Sequence, residues 1–276
     1  MIRLRRLAVG LLIAAALFYL AIVGALWGFQ RRLIYPGWWR GTAAAKPDLA
    51  GYRDITITTE DGLKGRLLYH PPQPGRPVIL FFHGNGDSVL GSAIAVEQLV
   101  ASGYGAVLPE YRGYNGNAGQ PDEQGLYEDA RAAVAWMRAN GIGSDKMAVM
   151  GYSLGTGVAA QTALELTMAG RTPRALVLVA PYASIAHVTA ARLSWIPADW
   201  LVSERFDTAA KIANITCPVL LIHGAIDGTI PAENSALLKK LRPGADRIVF
   251  PNVGHEVVFT APAQAAIAAW LKGKGL

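Results

Sequence analysis

Three residues carry the types and the order needed for nucleophilic acyl transfer. Gly151-Tyr152-Ser153-Leu154-Gly155 follows the apolar run KMAVMGY at 146–152 and opens a helical stretch. Flanking glycines allow a tight strand-to-helix turn that holds a serine in a strained conformation at the strand's carboxyl end, against a helix N-terminus that favours developing negative charge. A serine hydroxyl is a weak nucleophile without a neighbouring base. His255, in Asn252-Val253-Gly254-His255-Glu256, follows the last apolar run and is the candidate base. Asp227, after PVLLIHG at 218–224, is the candidate that orients the imidazole and stabilises its charged form. Taken singly, Ser153 could cap a helix, Asp227 could sit in a turn and His255 could cap the final helix. Together, in the order Ser, Asp, His and each at a strand end, they read as one constellation.

Acyl transfer also needs donors aimed at the tetrahedral oxyanion. The backbone N–H of Leu154 supplies one, and that of Asn85, in His83-Gly84-Asn85-Gly86 after PVILFF at 77–82, supplies the second. His83 and His223 are read as structural, because His255 already fills the base position. The aromatic residues Tyr152, Trp195 and Trp200 are candidates for the substrate pocket. No metal site and no cofactor is expected.

The elements that must position these residues alternate along the chain. Ile55 to Tyr69, broken by Asp61-Gly62, reads as a β-hairpin. Six short apolar runs follow, at 77–82, 104–110, 146–152, 175–181, 218–224 and 246–252, mostly separated by amphipathic stretches. That pattern predicts a mostly parallel sheet covered by helices on both faces. The interval 184–213 exceeds a plain crossover and is expected to form a small helical cap.

The N-terminal segment has a different character. Leu7 to Gln30 contains no charged residue, roughly 36 Å as a helix and enough to cross a bilayer core. The expected division is a basic flank at 1–6, a transmembrane anchor at 7–29, an interfacial connector at 30–50 and a catalytic domain at 51–276. The run is too long for an ordinary cleaved signal and has its alanines in the middle, so it reads as an uncleaved signal-anchor. Tyr35, Trp38 and Trp39 are expected at the membrane–water interface. Gly24 and Gly28 have the spacing for weak homodimerisation of the anchor.

The chain's net charge is +6 over 276 residues, but Arg3, Arg5, Arg6, Arg31, Arg32, Arg40 and Lys46 all precede the first acid, Asp48. The excess charge flanks the apolar segment, and the remainder is nearly balanced, which excludes a nucleic-acid binder. The single cysteine, Cys217, excludes an internal disulfide.

From about Tyr52 onward the chain resembles the α/β-hydrolase superfamily, and within it the single-pass membrane-anchored α/β-hydrolase-domain proteins. The resemblance rests on FFHGNG at 81–86, EYRGYNGNAGQPDEQGLYEDA at 110–130, GYSLG at 151–155, APYASI at 180–185, CPVLLIHGAIDGTIP at 217–231 and GHE at 254–256. Glu110 and Glu256 depart from the residues usual in that group. The resemblance implies a cofactor-free hydrolase working through an acyl-enzyme, with the catalytic domain on the non-cytoplasmic side. The expected substrate is an ester or thioester of short to medium acyl length, lipid-like and presented near a membrane. A peptidase or amidase using the same residues, and a catalytically silent interaction protein, are the alternatives.

Overall fold

In the computed structural model, residues 2–40 and 49–276 are described, without the side chains of Trp39 and Arg40. The expected connector residues 41–47, with Lys46, and the interfacial side chain of Trp39 therefore lie outside the described residues. Eight strands form one sheet: β1 (Arg53–Thr58), β2 (Lys64–His70), β3 (Val78–Phe82), β4 (Gly105–Pro109), β5 (Met147–Tyr152), β6 (Ala175–Val179), β7 (Val219–Gly224) and β8 (Asp246–Phe250). Their spatial order is β1-β2-β4-β3-β5-β6-β7-β8. The β1–β2 hairpin is antiparallel, β2 meets β4 antiparallel, and every later pairing is parallel. This is the α/β-hydrolase fold expected from the sequence.

Strands β3 to β7 are buried at every position, which is why they read as continuous apolar runs rather than as alternating ones. Successive side chains point to opposite faces, so Leu80 and Phe82 enter one core while Ile79 and Phe81 enter the other. The helices are α1 (Ile2–Ile34), α2 (Pro36–Arg40), α3 (Val89–Ala95), α4 (Glu97–Ala101), α5 (Glu123–Ala139), α6 (Leu154–Met168), α7 (Ile185–Arg192), α8 (Ala198–Leu201), α9 (Thr208–Ile212), α10 (Glu233–Leu241) and α11 (Ala261–Gly273). Leu154 to Ala163 of α6 and Ala130 to Met137 of α5 pack the first face, and Ala263, Ile267 and Leu271 of α11 pack the second. The interval 184–213 contains α7, α8 and α9, which make up the cap.

The segment expected to be a connector is different. Helix α1 does not stop at residue 29 but continues to Ile34. Tyr35 is fully buried and Trp38 packs on the core, rather than facing a membrane interface. The cause is a buried carboxylate in the cap. Glu204 accepts from Tyr35 Oη (2.8 Å), from Arg31 Nε (2.8 Å) and from the backbone N–H of Glu123 (2.5 Å). Gln30 adds bonds to the same strip of cap, receiving the Ser203 N–H and donating to the Leu201 carbonyl. The end of the apolar helix is thus sewn onto the hydrolase domain.

Candidate active site

The turn between β5 and α6 places Ser153 with φ 50° and ψ −119°, a left-handed conformation that a side-chain-bearing residue adopts only under strain. Its neighbours explain why it can persist. A Cβ on Gly155 would run into the Phe82 carbonyl, and one on Gly151 into the Gly155 carbonyl, so glycine at both positions lets the turn close against β3. Ser153 stands at the N-cap of α6 but makes no side-chain capping bond. Its Oγ lies 2.8 Å from His255 Nε2 instead.

His255 Nδ1 in turn lies 2.8 Å from Asp227 Oδ2. The loops bearing these two residues are tied together by the Ala225 N–H to the Phe250 carbonyl (2.8 Å) and the Ile226 N–H to the Val253 carbonyl (3.2 Å). Gly224 is required at that crossing, since a Cβ there would meet the carbonyls of Val253 and Gly254. The other carboxylate oxygen of Asp227 accepts from the backbone N–H groups of Thr229 (2.7 Å) and Ile230 (2.8 Å). Burial would raise this carboxyl, but hydrogen bonding from His223, His255 and Ile230 outweighs it and holds Asp227 well below the usual carboxylate range. His223 is fully buried, with Nε2 2.9 Å from the Ile230 carbonyl and 3.4 Å from Asp227 Oδ2.

A cavity of about 420 Å³ opens beside Ser153 and His255. Its walls include the apolar side chains of Ile34, Leu154, Ile185, Val188 and Ile230. Asn85, Tyr182 and Thr229 contribute polar groups, and Arg192 is the one charged side chain among the described residues at the wall besides the titratable His255. Arg192 donates to the carbonyls of Gly228 and Thr229, fastening the cap to the Asp227 loop.

Leu154 and Asn85, the expected oxyanion donors, both line this cavity. The Asn85 side chain is held from two sides: its amide donates to the Ile34 carbonyl, and its oxygen accepts from Tyr114 Oη (2.8 Å). Beneath the loop, His83 is fully buried, 2.9 Å from the Glu110 carboxylate. Burial opposes a charge on His83, but Glu110 and Asp87 overcome it and raise its pKa.

The three aromatic pocket candidates lie elsewhere. Tyr152 stacks behind His255 (ring centroids 5.3 Å apart) and against Phe259 (5.6 Å), off the cavity wall. Trp195 packs edge-on against Tyr19 of α1, and Trp200 is 91% exposed. Neither tryptophan lines the cavity, whose cap side is formed by Ile185, Val188 and Arg192. Sequence reasoning missed Ile34 and Arg192. The apolar Leu33-Ile34-Tyr35 immediately after Arg31-Arg32 was the available sign that the chain there returns to a core.

Comparison with known proteins agrees with this architecture. The family described as "Serine aminopeptidase, S33" matches residues 73–210. A Mycobacterium tuberculosis protein of unassigned activity is 36% identical over 245 residues, covering 87% of this chain and 85% of its own length. The lysophosphatidylserine lipase ABHD12 of Danio rerio is 32% identical over 202 residues, which is 68% of this chain and 52% of the lipase; this chain therefore aligns with about half of that relative. Among solved structures, a Pyrococcus furiosus esterase superimposes with a TM-score of 0.68 at 19% identity, covering 84% of this chain and 98% of the esterase. An α/β-hydrolase from Vibrio vulnificus does so with a TM-score of 0.68 at 24% identity, covering 82% and 81%.

Proposed function

The chain belongs to the S33 serine aminopeptidase family of α/β-hydrolases, and from that premise we propose that it is a serine hydrolase cleaving carboxylic esters or thioesters through an acyl-enzyme on Ser153. The observation that carries this reading is the row Ser153 Oγ, His255 Nε2, His255 Nδ1, Asp227 Oδ2, with both contacts at 2.8 Å. In the proposed cycle Ser153 Oγ attacks the acyl carbon while its proton passes to His255 Nε2. The oxyanion is held by the N–H groups of Leu154 and Asn85. The leaving alcohol or thiol then takes the proton from His255. Water enters, gives its proton to the same nitrogen and releases the acid, restoring Ser153. Asp227 keeps the proton of the resting imidazole on Nδ1.

The family's name raises the peptidase alternative. An aminopeptidase must bind an α-ammonium group, and the physical partner for that is a carboxylate at the cavity wall. Among the described residues the wall carries none, and its fixed charge is the cation Arg192. That supports an ester over an aminopeptidase substrate. The deciding experiment is fluorophosphonate labelling of wild type and Ser153→Ala, followed by a panel of p-nitrophenyl esters and peptide anilides. Wild-type labelling lost in Ser153→Ala, with esters turned over faster than anilides, supports the proposal. No labelling of the wild type would leave the silent interaction protein, and faster anilide cleavage would install the peptidase.

Helix α1 is long and apolar enough to cross a membrane, and we read it as the anchor, with the N-terminus cytoplasmic and the catalytic domain outside. A reporter fused after Leu276 that works only in the cytoplasm would reverse that orientation. Weak pairing of anchors through Gly24 and Gly28 stays within the proposal, since both are exposed with nothing within 4 Å of where a Cβ would stand.

A further inference from the structure

Helix α1 and the cap enclose a second cavity, of about 230 Å³. Val23, Leu26 and Leu33 line it from the helix, and Leu193, Leu201 and Val202 from the cap. Ile34 is a wall common to this groove, whose other lining is apolar apart from Gln30 and Thr189, and to the cavity beside Ser153. Along α1, Val23, Leu26, Gln30 and Ile34 are half-buried while most of the helix is exposed, a stripe at helical spacing turned toward the cap.

The depth of this groove follows from length. Tyr19 already touches the cap, its Oη donating to the Trp195 carbonyl (3.1 Å). The uncharged residues before it, Leu7 to Phe18, cover only about 18 Å, against a hydrocarbon core of about 30 Å. If α1 crosses the bilayer, the helix from Tyr19 onward enters the membrane together with the edge of the cap beside it. Trp195, half-exposed, packs on Tyr19 at that edge, and the exposed Trp200 directly precedes the groove-lining Leu201; tryptophan suits the headgroup boundary.

We propose that this groove takes the acyl chain of a membrane lipid ester directly from the bilayer and leads it past Ile34 to the cavity beside Ser153. The anchor helix is then one wall of the substrate site, and the preferred acyl chain is longer than the cavity at the serine alone would hold. This rests on the readings of Ser153 as nucleophile and of α1 as the membrane span.

The test uses the full chain in phosphatidylcholine vesicles with two esters, soluble p-nitrophenyl butyrate and bilayer-borne p-nitrophenyl palmitate. Val202 and Thr189 both line the groove and neither lines the cavity beside Ser153, so Val202→Trp and Thr189→Trp fill the groove from the cap side. Each methylene kept out of an apolar site lowers kcat/KM about fourfold. Both variants are therefore expected to lose at least tenfold on palmitate while staying within twofold on butyrate. An unchanged palmitate-to-butyrate ratio, or an equal loss on both esters, overturns the proposal. A second readout is independent of catalysis: a diazirine-bearing stearate in the vesicles should photolabel the 189–202 peptide of wild type and of Ser153→Ala alike, and labelling should fall in Val202→Trp. A cap peptide left unlabelled overturns the groove whatever the esterase result. Failure to hydrolyse either ester, with the peptide labelled, supports the groove and removes only the enzymatic reading.

Discussion

Replacing Asp227 by asparagine tests the proposed mechanism at its most constrained point. One carboxylate oxygen accepts the N–H groups of Thr229 and Ile230, at 2.7 and 2.8 Å. In Asp227→Asn only the amide oxygen can take that place, because an NH2 group cannot accept. The NH2 is then forced into the position of Oδ2, 2.8 Å from His255 Nδ1. There it donates, so Nδ1 must accept and the imidazole proton moves to Nε2. That nitrogen faces the Ser153 hydroxyl and can no longer take its proton. The volume of the residue is unchanged and two of its hydrogen bonds survive, so the fold should hold. A wrong tautomer of this kind costs about 10⁴-fold in kcat, or about 5 kcal/mol of transition-state stabilisation. The assay is steady-state hydrolysis of p-nitrophenyl butyrate with circular dichroism on the same samples. A folded Asp227→Asn protein that loses less than tenfold in kcat would falsify the orientation argument and move the acid's role to another group.

The remaining expectations concern stability. Left-handed strain at Ser153 costs on the order of 1 kcal/mol or more, which glycine relieves; Ser153→Gly should thus unfold about 1 kcal/mol later than Ser153→Ala in denaturant, and equal midpoints would refute a strained elbow. Glu204→Ala strips partners from Tyr35 Oη and the Glu123 N–H and should lower stability by about 3 kcal/mol, with a drop in Tm of several degrees; an unchanged melting curve would mean that the anchor's seam is not held there. Asp227 is held below its usual range when folded, so its contribution is complete above the unfolded value of 3.8 and is lost as pH falls through the lower folded value. Below pH 4, wild type should therefore lose stability more steeply than Asp227→Asn in denaturant titrations, and parallel curves would contradict the depressed carboxyl.

Much of this was legible in the sequence because burial on both faces leaves an unmistakable trace. PVILFF, KMAVMGY and PVLLIHG each became a parallel strand to within a residue of the reading, since a strand covered on both sides has no reason to alternate. That Ser153, Asp227 and His255 would approach one another was legible from the glycine-flanked serine turn and from the order of the three residues at strand ends. The cap was harder. Trp195, Ile196, Trp200, Leu201 and Phe206 are spaced so that several could share a helical face, but spacing does not say which face turns inward when a segment is only one or two turns long. The docking of α1 was also hidden. It depends on Glu204, a residue about 170 positions away from the Arg31 and Tyr35 it binds, and a lone acid in a polar stretch carries no mark of burial. The structural roles read for His83 and His223 missed that each faces a carboxylate, because those partners belong to other loops or to the other side of a turn.

The two outer strands of the sheet have a bearing on how the molecule lives among its own kind. A protein held to a surface by its first helix is concentrated in two dimensions, where open strand edges invite copies to join sheet to sheet. Neither rim here is a bare template. Strand β1 is largely exposed and carries Arg53 and Asp54, the latter paired with Arg66 at 2.8 Å. Strand β8 opens with Asp246, held by Trp270 Nε1 (2.7 Å) and Lys274 (3.1 Å), and continues with Arg247, which donates to Ser235 Oγ and the Ala232 carbonyl. Adding a strand at either end would strip water from these charges or break their existing bonds. On the proposed membrane anchor, crowding in the plane should therefore leave the sheets separate.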